Sequence, residues 1–255
     1  MKISFQNSKT GRIGIIAIPL IGVFLLAFNF PISWANPLVT SKTNCAVNLE
    51  SPQGSIWSGS ASISLGNSVN GACAENSFVT ERIVWSSSCN PLKISCEINI
   101  SSPMLSKSGR ILITPSGSFI QSNELALPAK ILQDLGAPWN TIKPEGQLSL
   151  AWGDLTFSNK SRSGNMSLTI SNASSQLSSV RPLGDYIINV NSLNTSLFEV
   201  KTLKGALDVN GKGSMTGHGI EFTGEAMAKP EYKEALTGLL SVIGKTSNGI
   251  TKLQF

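Results

Sequence analysis

Apolar and polar residues alternate with a period of two along most of this chain. In the longest run, polar residues separate Leu92, Ile94, Cys96, Ile98 and Ile100. This spacing is typical of a β-strand with one buried face and one face in water. Each such run buries only one face, so the strands are expected to form a sheet that covers an apolar interior. Similar runs occur at 45–49, 61–65, 83–85, 148–152, 166–170, 186–190, 207–209 and 220–222.

Two stretches have helical spacing instead. In 126–135, Pro128 suits a first helical turn and Gly136 follows as a stop, while 230–243 begins at Pro230 and is followed by Gly244. The predicted fold class is mainly β, with either one curved antiparallel sheet or two β subdomains, two short helices and one N-terminal transmembrane helix. A possible subdivision lies near 126–144, and 250–255 is expected to form a last strand.

Basic residues precede a long apolar run at the N-terminus. Lys2, Lys9 and Arg12 come before residues 13–34, which contain no charged residue. At about 1.5 Å per residue, this run covers roughly the 30 Å of a bilayer core. By the positive-inside rule, 1–12 stay in the cytoplasm, 13–34 form a transmembrane anchor and 36–255 form an exported β-rich domain. The alternative is a cleaved signal peptide, because Ser33-Trp34-Ala35 resembles a small-x-small cleavage site.

The charge distribution argues against a nucleic-acid partner. The formal net charge is +5, but Lys2, Lys9 and Arg12 all precede the anchor. The exported part is therefore close to neutral, and it has no basic patch with interleaved aromatic residues. Its wealth of Ser, Asn, Gly and Thr is typical of a β-rich protein with many turns.

The cysteines predict disulfides rather than a metal site. All of them follow the anchor, and an even number in an oxidising compartment predicts two bridges. Three pairings are possible; Cys89–Cys96 with Cys45–Cys73 is the working hypothesis. Zinc is disfavoured because no C-x-x-C occurs and the single histidine, His218, is far away in the sequence.

No constellation of catalytic residues is recognisable. His218 lies between glycines in a turn-like segment, and no G-x-S-x-G motif is present. We therefore expect a protein that is not an enzyme and that holds no cofactor and no metal. The carboxylates are scattered over different segments: Asp134, Glu145, Asp154, Asp185 and Asp208.

Three segments carry a family resemblance. The first comprises Gly54, Trp57 and Gly59 in the stretch 54–61, followed by Trp85 and then by Pro91-Leu92. The second is Arg181-Pro182-Leu183-Gly184-Asp185-Tyr186, and the third is the ending, with a helix start at 230 and a strand-like tail. Their order and spacing, together with the short anchor, resemble protein N of the bacterial type II secretion system. Trp57, Trp85 and Trp152 are expected in the core.

The resemblance implies a single-pass protein of the bacterial inner membrane with a periplasmic β domain. Such a protein would be a structural or interaction subunit of the machinery that exports folded proteins across the outer membrane. Its partners would be other type II secretion subunits, and unpaired strand edges would be the expected contact surface. The resemblance implies no catalytic residues and no cofactor.

A second function is also compatible with these features. The anchor and the one-sided strands equally suit an AsmA-like periplasmic module, in which a curved sheet with an apolar groove binds or transfers lipid. The two functions differ in the concave face of the sheet. An open apolar groove would favour lipid, and a packed core would favour a scaffold.

Overall fold

The computed structural model describes residues 30–66, 68–69, 72–73, 79–135, 139–193, 195–216 and 219–254. The predicted anchor lies outside the described residues apart from 30–34, and His218 lies outside them as well. Within the described ranges, no helix has both the length and the apolar character that crossing a bilayer requires.

The structure is mainly β, and every strand pair is antiparallel. The first half of the chain supplies most of one sheet. Its strands are β1 (Val47–Gly54), β2 (Ser58–Leu65), β5 (Ile83–Asn90), β6 (Ser95–Ser101), β7 (Gly109–Thr114), β8 (Gly117–Ile120), β11 (Leu155–Ser158) and β12 (Arg162–Ser163). They hydrogen-bond in that order as an 8-stranded sheet, called sheet 1 below. The short strands β3 (Ser68–Val69) and β4 (Ala72–Cys73) pair only with each other.

The second half of the chain forms a larger sheet. Its strands are β9 (Asn123–Pro128), β10 (Pro144–Trp152), β13 (Met166–Ser175), β14 (Gly184–Ser192), β15 (Leu197–Gly205), β16 (Leu207–Thr216), β17 (Gly219–Ala228), β18 (Lys245–Ser247) and β19 (Ile250–Gln254). This 9-stranded sheet, called sheet 2, has the order β18-β19-β17-β16-β15-β14-β13-β10-β9. The chain enters sheet 2 at β9 and returns to sheet 1 for β11 and β12, so the two sheets are not two consecutive stretches of sequence.

Within the described residues, helices are few and short. The α-helices are α1 (Asn36–Lys42), α2 (Trp139–Ile142) and α3 (Lys233–Ile243), and 3₁₀ helices span Ile32–Trp34, Ala129–Leu135 and Pro230–Tyr232. The helix predicted at 230–243 is confirmed as a 3₁₀ turn that continues into α3. The last strand predicted at 250–255 is confirmed as β19 over 250–254, and residue 255 lies outside the described residues.

The main core lies on one face of sheet 2, beneath α3. The helix buries Leu236, Leu239 and Leu240, its apolar residues at helical spacing. Opposite them, Phe198 and Phe222 stack with ring centroids 6.1 Å apart. The remaining members of this cluster come from the same face of the sheet and the loops beside it: Leu183, Val190, Ala206, Leu207, Ala226 and Leu253.

A second, smaller cluster joins the two sheets. Ala129 and Ile131 of the 3₁₀ helix are buried against Leu148 of β10. Leu65, at the end of β2 in sheet 1, packs against the same cluster. The 3₁₀ helix therefore fills the space between sheet 2 and one end of sheet 1.

The prediction of a helix across 126–135 is wrong in its first part. Residues 126–128 belong to β9, where Ala126 lies opposite Ser149 of β10. Helical structure begins only at Ala129, and it is 3₁₀. Pairing with a long neighbouring strand has overridden the local helical spacing.

The longest alternating run is also shorter than predicted. Leu92 and Ile94 do not belong to a strand, because β6 begins at Ser95 and residues 91–94 form the turn after β5. Asn90 accounts for this turn, since its Oδ1 accepts the backbone N–H groups of Leu92 at 3.0 Å and Lys93 at 3.2 Å. Both apolar side chains are exposed.

Two disulfides are formed. Cys45 bonds to Cys73, and Cys89 bonds to Cys96. This is the pairing that served as the working hypothesis. The first bridge ties Cys45, which lies between α1 and β1, to Cys73 in the β3–β4 hairpin. The second bridge links directly opposed residues of β5 and β6.

Candidate functional site

The first motif is the turn between β1 and β2. Gly54 lies opposite Gly59, and its φ of +86° belongs to the left-handed region that favours glycine. The backbone O of Ser55 accepts the indole N–H of Trp85 at 3.2 Å. The motif residues on either side of the turn are thus brought together with a tryptophan from β5.

Gly59 is required by the close approach of that tryptophan. It lies opposite Trp85, and an added Cβ would be 2.6 Å from the indole Cζ2 and 2.6 Å from the backbone O of Gln53. Trp57 contributes through its backbone O, which accepts the Ser87 N–H at 2.6 Å. The structure therefore brings Gly54, Trp57, Gly59 and Trp85 into one unit that joins three strands.

The tryptophans expected in the core are only half-buried. Trp57, Trp85 and Trp152 all keep part of their surface accessible. Trp152 donates its indole N–H to the backbone O of Gln121 at 2.9 Å. Each of the three side chains is therefore only partly covered by the rest of the protein.

The second motif joins β14 to the core of sheet 2. Leu183 is buried, and its backbone O accepts the N–H groups of Ala206 at 2.7 Å and Leu207 at 3.2 Å. The Tyr186 hydroxyl donates to the backbone O of Leu207 at 3.0 Å. Burial raises the pKa of Tyr186, and the nearby charges of Asp208 and Asp185 raise it further, so this phenol stays neutral and donates.

The charged residues of the second motif form local contacts. Arg181 pairs with Glu145 at 3.2 Å, with its peptide bond to Pro182 in the cis form. Asp185 accepts the Asn172 N–H at 2.7 Å and lies 3.2 Å from the Lys204 ammonium. The Asn172 hydrogen bond, with a further contribution from Lys204, holds the pKa of Asp185 below its usual range.

We expect Asp185→Asn to lower the free energy of unfolding by about 1 kcal/mol at neutral pH, because a charged acceptor is lost. A depressed folded-state pKa stabilises the protein above the unfolded value and is lost as the pH falls through the folded value. The difference between wild type and variant should therefore shrink below about pH 4. Urea unfolding at several pH values measures it.

Lys204→Gln is the matched control for that prediction. It removes the exposed partner charge but keeps the Asn172 hydrogen bond, so it should cost less than Asp185→Asn. A gap between wild type and Asp185→Asn that stays constant with pH would show that the charge is not its cause.

Neither motif forms a reactive centre. The scattered carboxylates have separate partners: Glu145 pairs with Arg181, Asp185 with Lys204, and Asp154 accepts the N–H of Ser122 at 2.8 Å. Among the described residues, no group of three or more His, Cys, Asp or Glu side chains could hold a metal ion. What the motifs do is lock strands and turns to one another.

One broad apolar surface was missed by the sequence analysis. The side chains of Ile83, Trp85, Ile98, Ile100, Ile111, Ile113 and Ile120 share one face of sheet 1, as their cross-strand pairing requires. We call it the open face. None of the side chains in β5, β6, β7 or β8 is buried, and none belongs to either core cluster. In the part of the chain that the structure describes, the side chains of the open face are half-buried, except for Ile113, which is exposed, so the open face is only partly covered.

The other face of the same strands is more polar, although it also carries Val84, Leu112 and Phe119. Its residues include Ser86, Ser88 and Asn99, and Arg110 pairs there with Glu97 at 2.6 Å. Alternation had grouped Ile83 with Trp85 and Ile98 with Ile100, but it had not identified β7 or β8 and could not show whether another layer covers these side chains. A broad apolar sheet face that is only partly covered is a candidate binding surface.

The strand edges are less available for pairing with a partner than expected. The outer edge of β1 is occupied by α1, where the Asn36 Oδ1 accepts the Leu49 N–H at 3.0 Å. The edge of β9 is bonded to the loop before β7, through Ala126 N–H to Met104 O at 2.9 Å. The outermost strands β12 and β18 have only a few residues each and carry Arg162 and Lys245. Short, charged edges are poor templates for strand addition.

Taken together, these features define a disulfide-bonded, two-sheet β protein whose recognisable motifs serve architecture and whose broad surfaces are sheet faces. A family model described as "Type II secretion system (T2SS), protein N" matches residues 46–254. The chain belongs to this family, as the motifs at 54–61 and 181–186 had indicated. No curated protein and no solved structure matches the chain significantly.

Family membership defines the general role. It indicates a component of the type II secretion system that interacts with other subunits of that system. The family is one of structural secretion subunits rather than a known enzyme family. The match begins at residue 46, after the predicted anchor, and so covers the whole two-sheet region.

Proposed function

We propose that this chain is an inner-membrane-anchored periplasmic subunit of the type II secretion system that acts as a structural and interaction component. The single observation that carries the proposal is the family match over 46–254. It follows a basic N-terminus and an apolar run of membrane-spanning length at 13–34. In this topology 1–12 lie in the cytoplasm and 36–255 in the periplasm.

The disulfides support the exported location. Cys45–Cys73 and Cys89–Cys96 are compatible with an oxidising compartment such as the periplasm and would be unusual in the cytoplasm. A membrane tether also suits a subunit with modest contact surfaces. Confinement to the membrane raises the effective concentration of its partners, so weak contacts are sufficient for assembly.

The test is affinity purification of the full-length protein from its own membranes, with mass spectrometry of the proteins and lipids that co-purify. We expect enrichment of other type II secretion subunits without a lipid in one-to-one amount. The matched control replaces 13–29 with an unrelated apolar span of the same length and keeps 30–34, because Phe30 and Pro31 are bonded to the β1–β2 turn. Because the family match begins at residue 46, this control should keep the same partners. Absence of secretion subunits from both preparations would overturn the proposal.

The open face supports a second candidate function, the binding or transfer of lipid by an AsmA-like module. Its isoleucines form a continuous apolar surface on one side of sheet 1 and would accommodate acyl chains. Under this function, a defined lipid co-purifies in near one-to-one amount. The double variant Ile98→Ser and Ile111→Ser should then lose the lipid. Val84→Ser, on the opposite and exposed face of β5, is the matched control and should retain it.

A further inference from the structure

The chain leaves its predicted anchor at a defined end of sheet 1. The Ile56 N–H donates to the backbone O of Phe30 at 3.1 Å, and Pro31 forms a β-bridge with Ser55. Residues 30 and 31 belong to the last part of the apolar run, so the end of this run lies at the turn between β1 and β2. We call this the anchor end of sheet 1.

The hairpin of β5 and β6 projects beyond the anchor end. Ser87 bonds through both its N–H and its hydroxyl to the backbone O of Trp57 in the β1–β2 turn. β5 continues to Asn90, which carries the turn about 10 Å further at the usual rise per residue. Cys89–Cys96 closes the hairpin immediately before this turn. The tip formed by 91–94 is therefore a covalently closed projection.

The tip is apolar and exposed. Leu92 is 94% exposed and Ile94 is 71% exposed. Ile56, in the neighbouring turn, is also exposed, as is Trp34, which follows the bridge at Pro31. Tryptophan is a residue typical of the membrane–water interface. Large apolar side chains on a rigid projecting turn, beside such a tryptophan, are suited to insertion among lipid headgroups.

The charges at this end complement an anionic surface. Pairing of Cys96 with Ile113 places the β7–β8 turn beside the tip, and pairing of Gly117 with Ser158 places the β11–β12 turn next to it. The turns at 54–58, 90–95, 114–117 and 158–161 contain Lys93 and Lys160 but no Asp or Glu. Lysines at a membrane surface are attracted by anionic lipid headgroups.

We propose that the tip at 91–94 is a second membrane contact, with Leu92 and Ile94 inserted at the interface of the membrane that the N-terminal run enters and Lys93 at the lipid phosphates. The inference rests on the proposed insertion of 13–34, but not on the secretion role. The tether holds the tip close to the bilayer, so a small apolar area is sufficient. Contact at two points would fix the tilt of sheet 1 on the membrane.

The experiment uses the full-length chain in vesicles of phosphatidylethanolamine and the anionic lipid phosphatidylglycerol, after resistance to alkaline extraction has shown that the anchor is inserted. The photoreactive amino acid p-benzoylphenylalanine replaces Leu92 in one sample. In the control it replaces Leu203, which is 57% exposed on the polar face of sheet 2. Adducts are identified by mass spectrometry after irradiation.

We expect lipid adducts at position 92 and few at position 203. Adding Lys93→Gln should lower the lipid adduct at 92 about fivefold, because each lysine near an anionic surface contributes roughly that factor. Equal lipid labelling at 92 and 203 would overturn the proposal. The same irradiation is carried out on native membranes. Adducts of position 92 with another protein there, instead of with lipid, would also overturn the proposal, because they would make the tip a subunit contact. Loss of the chain on alkaline extraction would reject the anchor itself.

Discussion

Replacing Cys45 and Cys73 together with alanine is expected to lower the free energy of unfolding by about 3.5 kcal/mol, and replacing Cys89 and Cys96 by about 2.5 kcal/mol. The order follows from loop length, because the bridges close 28 and 7 residues of sequence separation. The longer loop has more conformational freedom in the unfolded chain, so its closure stabilises the folded protein more.

Burial acts in the same direction. Cys45 is buried, while Cys89 is exposed beside the projecting tip. Loss of the first bridge therefore also leaves unfilled space near α1 and β1, and loss of the second does not. Both effects predict that loss of the Cys45–Cys73 bridge lowers the free energy of unfolding more than loss of Cys89–Cys96.

Urea unfolding of the purified full-length chain, followed by tryptophan fluorescence, measures both double variants. Wild-type protein in reductant is the control, and it should lose at least as much stability as the Cys45 and Cys73 variant. A reversed order would show that strand pairing around Cys89 and Cys96, rather than chain entropy, determines the effect. Four free thiols in protein from an oxidising compartment would show that neither bridge forms.

Residue pattern alone predicted the elements in which local and long-range preferences agree. At 230–243, a proline, an acidic first turn and apolar residues at helical spacing all favour a helix, and α3 forms there against sheet 2. At 126–135 they disagree. The spacing is helical, but residues 126–128 gain more from pairing with β10 than from a helical turn.

The tip shows a different limit. The period of two continues through Leu92 and Ile94 although the strand does not, because Asn90 captures the next backbone N–H groups. Asn-Pro at 90–91 and the close spacing of Cys89 and Cys96 were signals of a hairpin turn in the sequence. Periodicity describes which side chains share a face, and turn residues decide where the face ends.

The open face could not have been predicted by any local rule. Alternation correctly places Ile98 and Ile100 on one side of β6, and the same pattern on β14 to β17 leads to a packed core. The difference is that α3 follows the strands of sheet 2 in the chain and folds back over them. No comparable amphipathic helix follows β8 within the described residues, and the apolar face of sheet 1 is only half-buried.

The family motifs were recognised from sequence, but their structural reason was not. Leu183 and Tyr186 form hydrogen bonds with the backbone at 206–207, about twenty residues further along the chain. Gly184 lies opposite Gly205 on the neighbouring strand. Such partners are set by strand pairing over long separations. A sequence pattern can mark these residues without indicating what they touch.

Gly59→Ala is expected to destabilise the protein by about 2 to 3 kcal/mol, since overpacking at a site with little freedom costs this much. The new methyl group would meet the Trp85 ring on one side and the backbone O of Gln53 on the other, each at 2.6 Å. The ring can shift only by giving up its hydrogen bond to Ser55, and the Gln53 backbone belongs to a paired strand.

Gly238→Ala makes the identical chemical change where the outcome should have the opposite sign. Gly238 lies inside α3, and an added Cβ there would meet nothing within 4 Å. Alanine should therefore stabilise the helix by about 0.5 to 1 kcal/mol. Urea unfolding of both variants gives the two values. If Gly59→Ala unfolds like wild type, the motif at 54–59 is not the packed corner that joins β1, β2 and β5, and the role of Trp85 must lie on the open face instead.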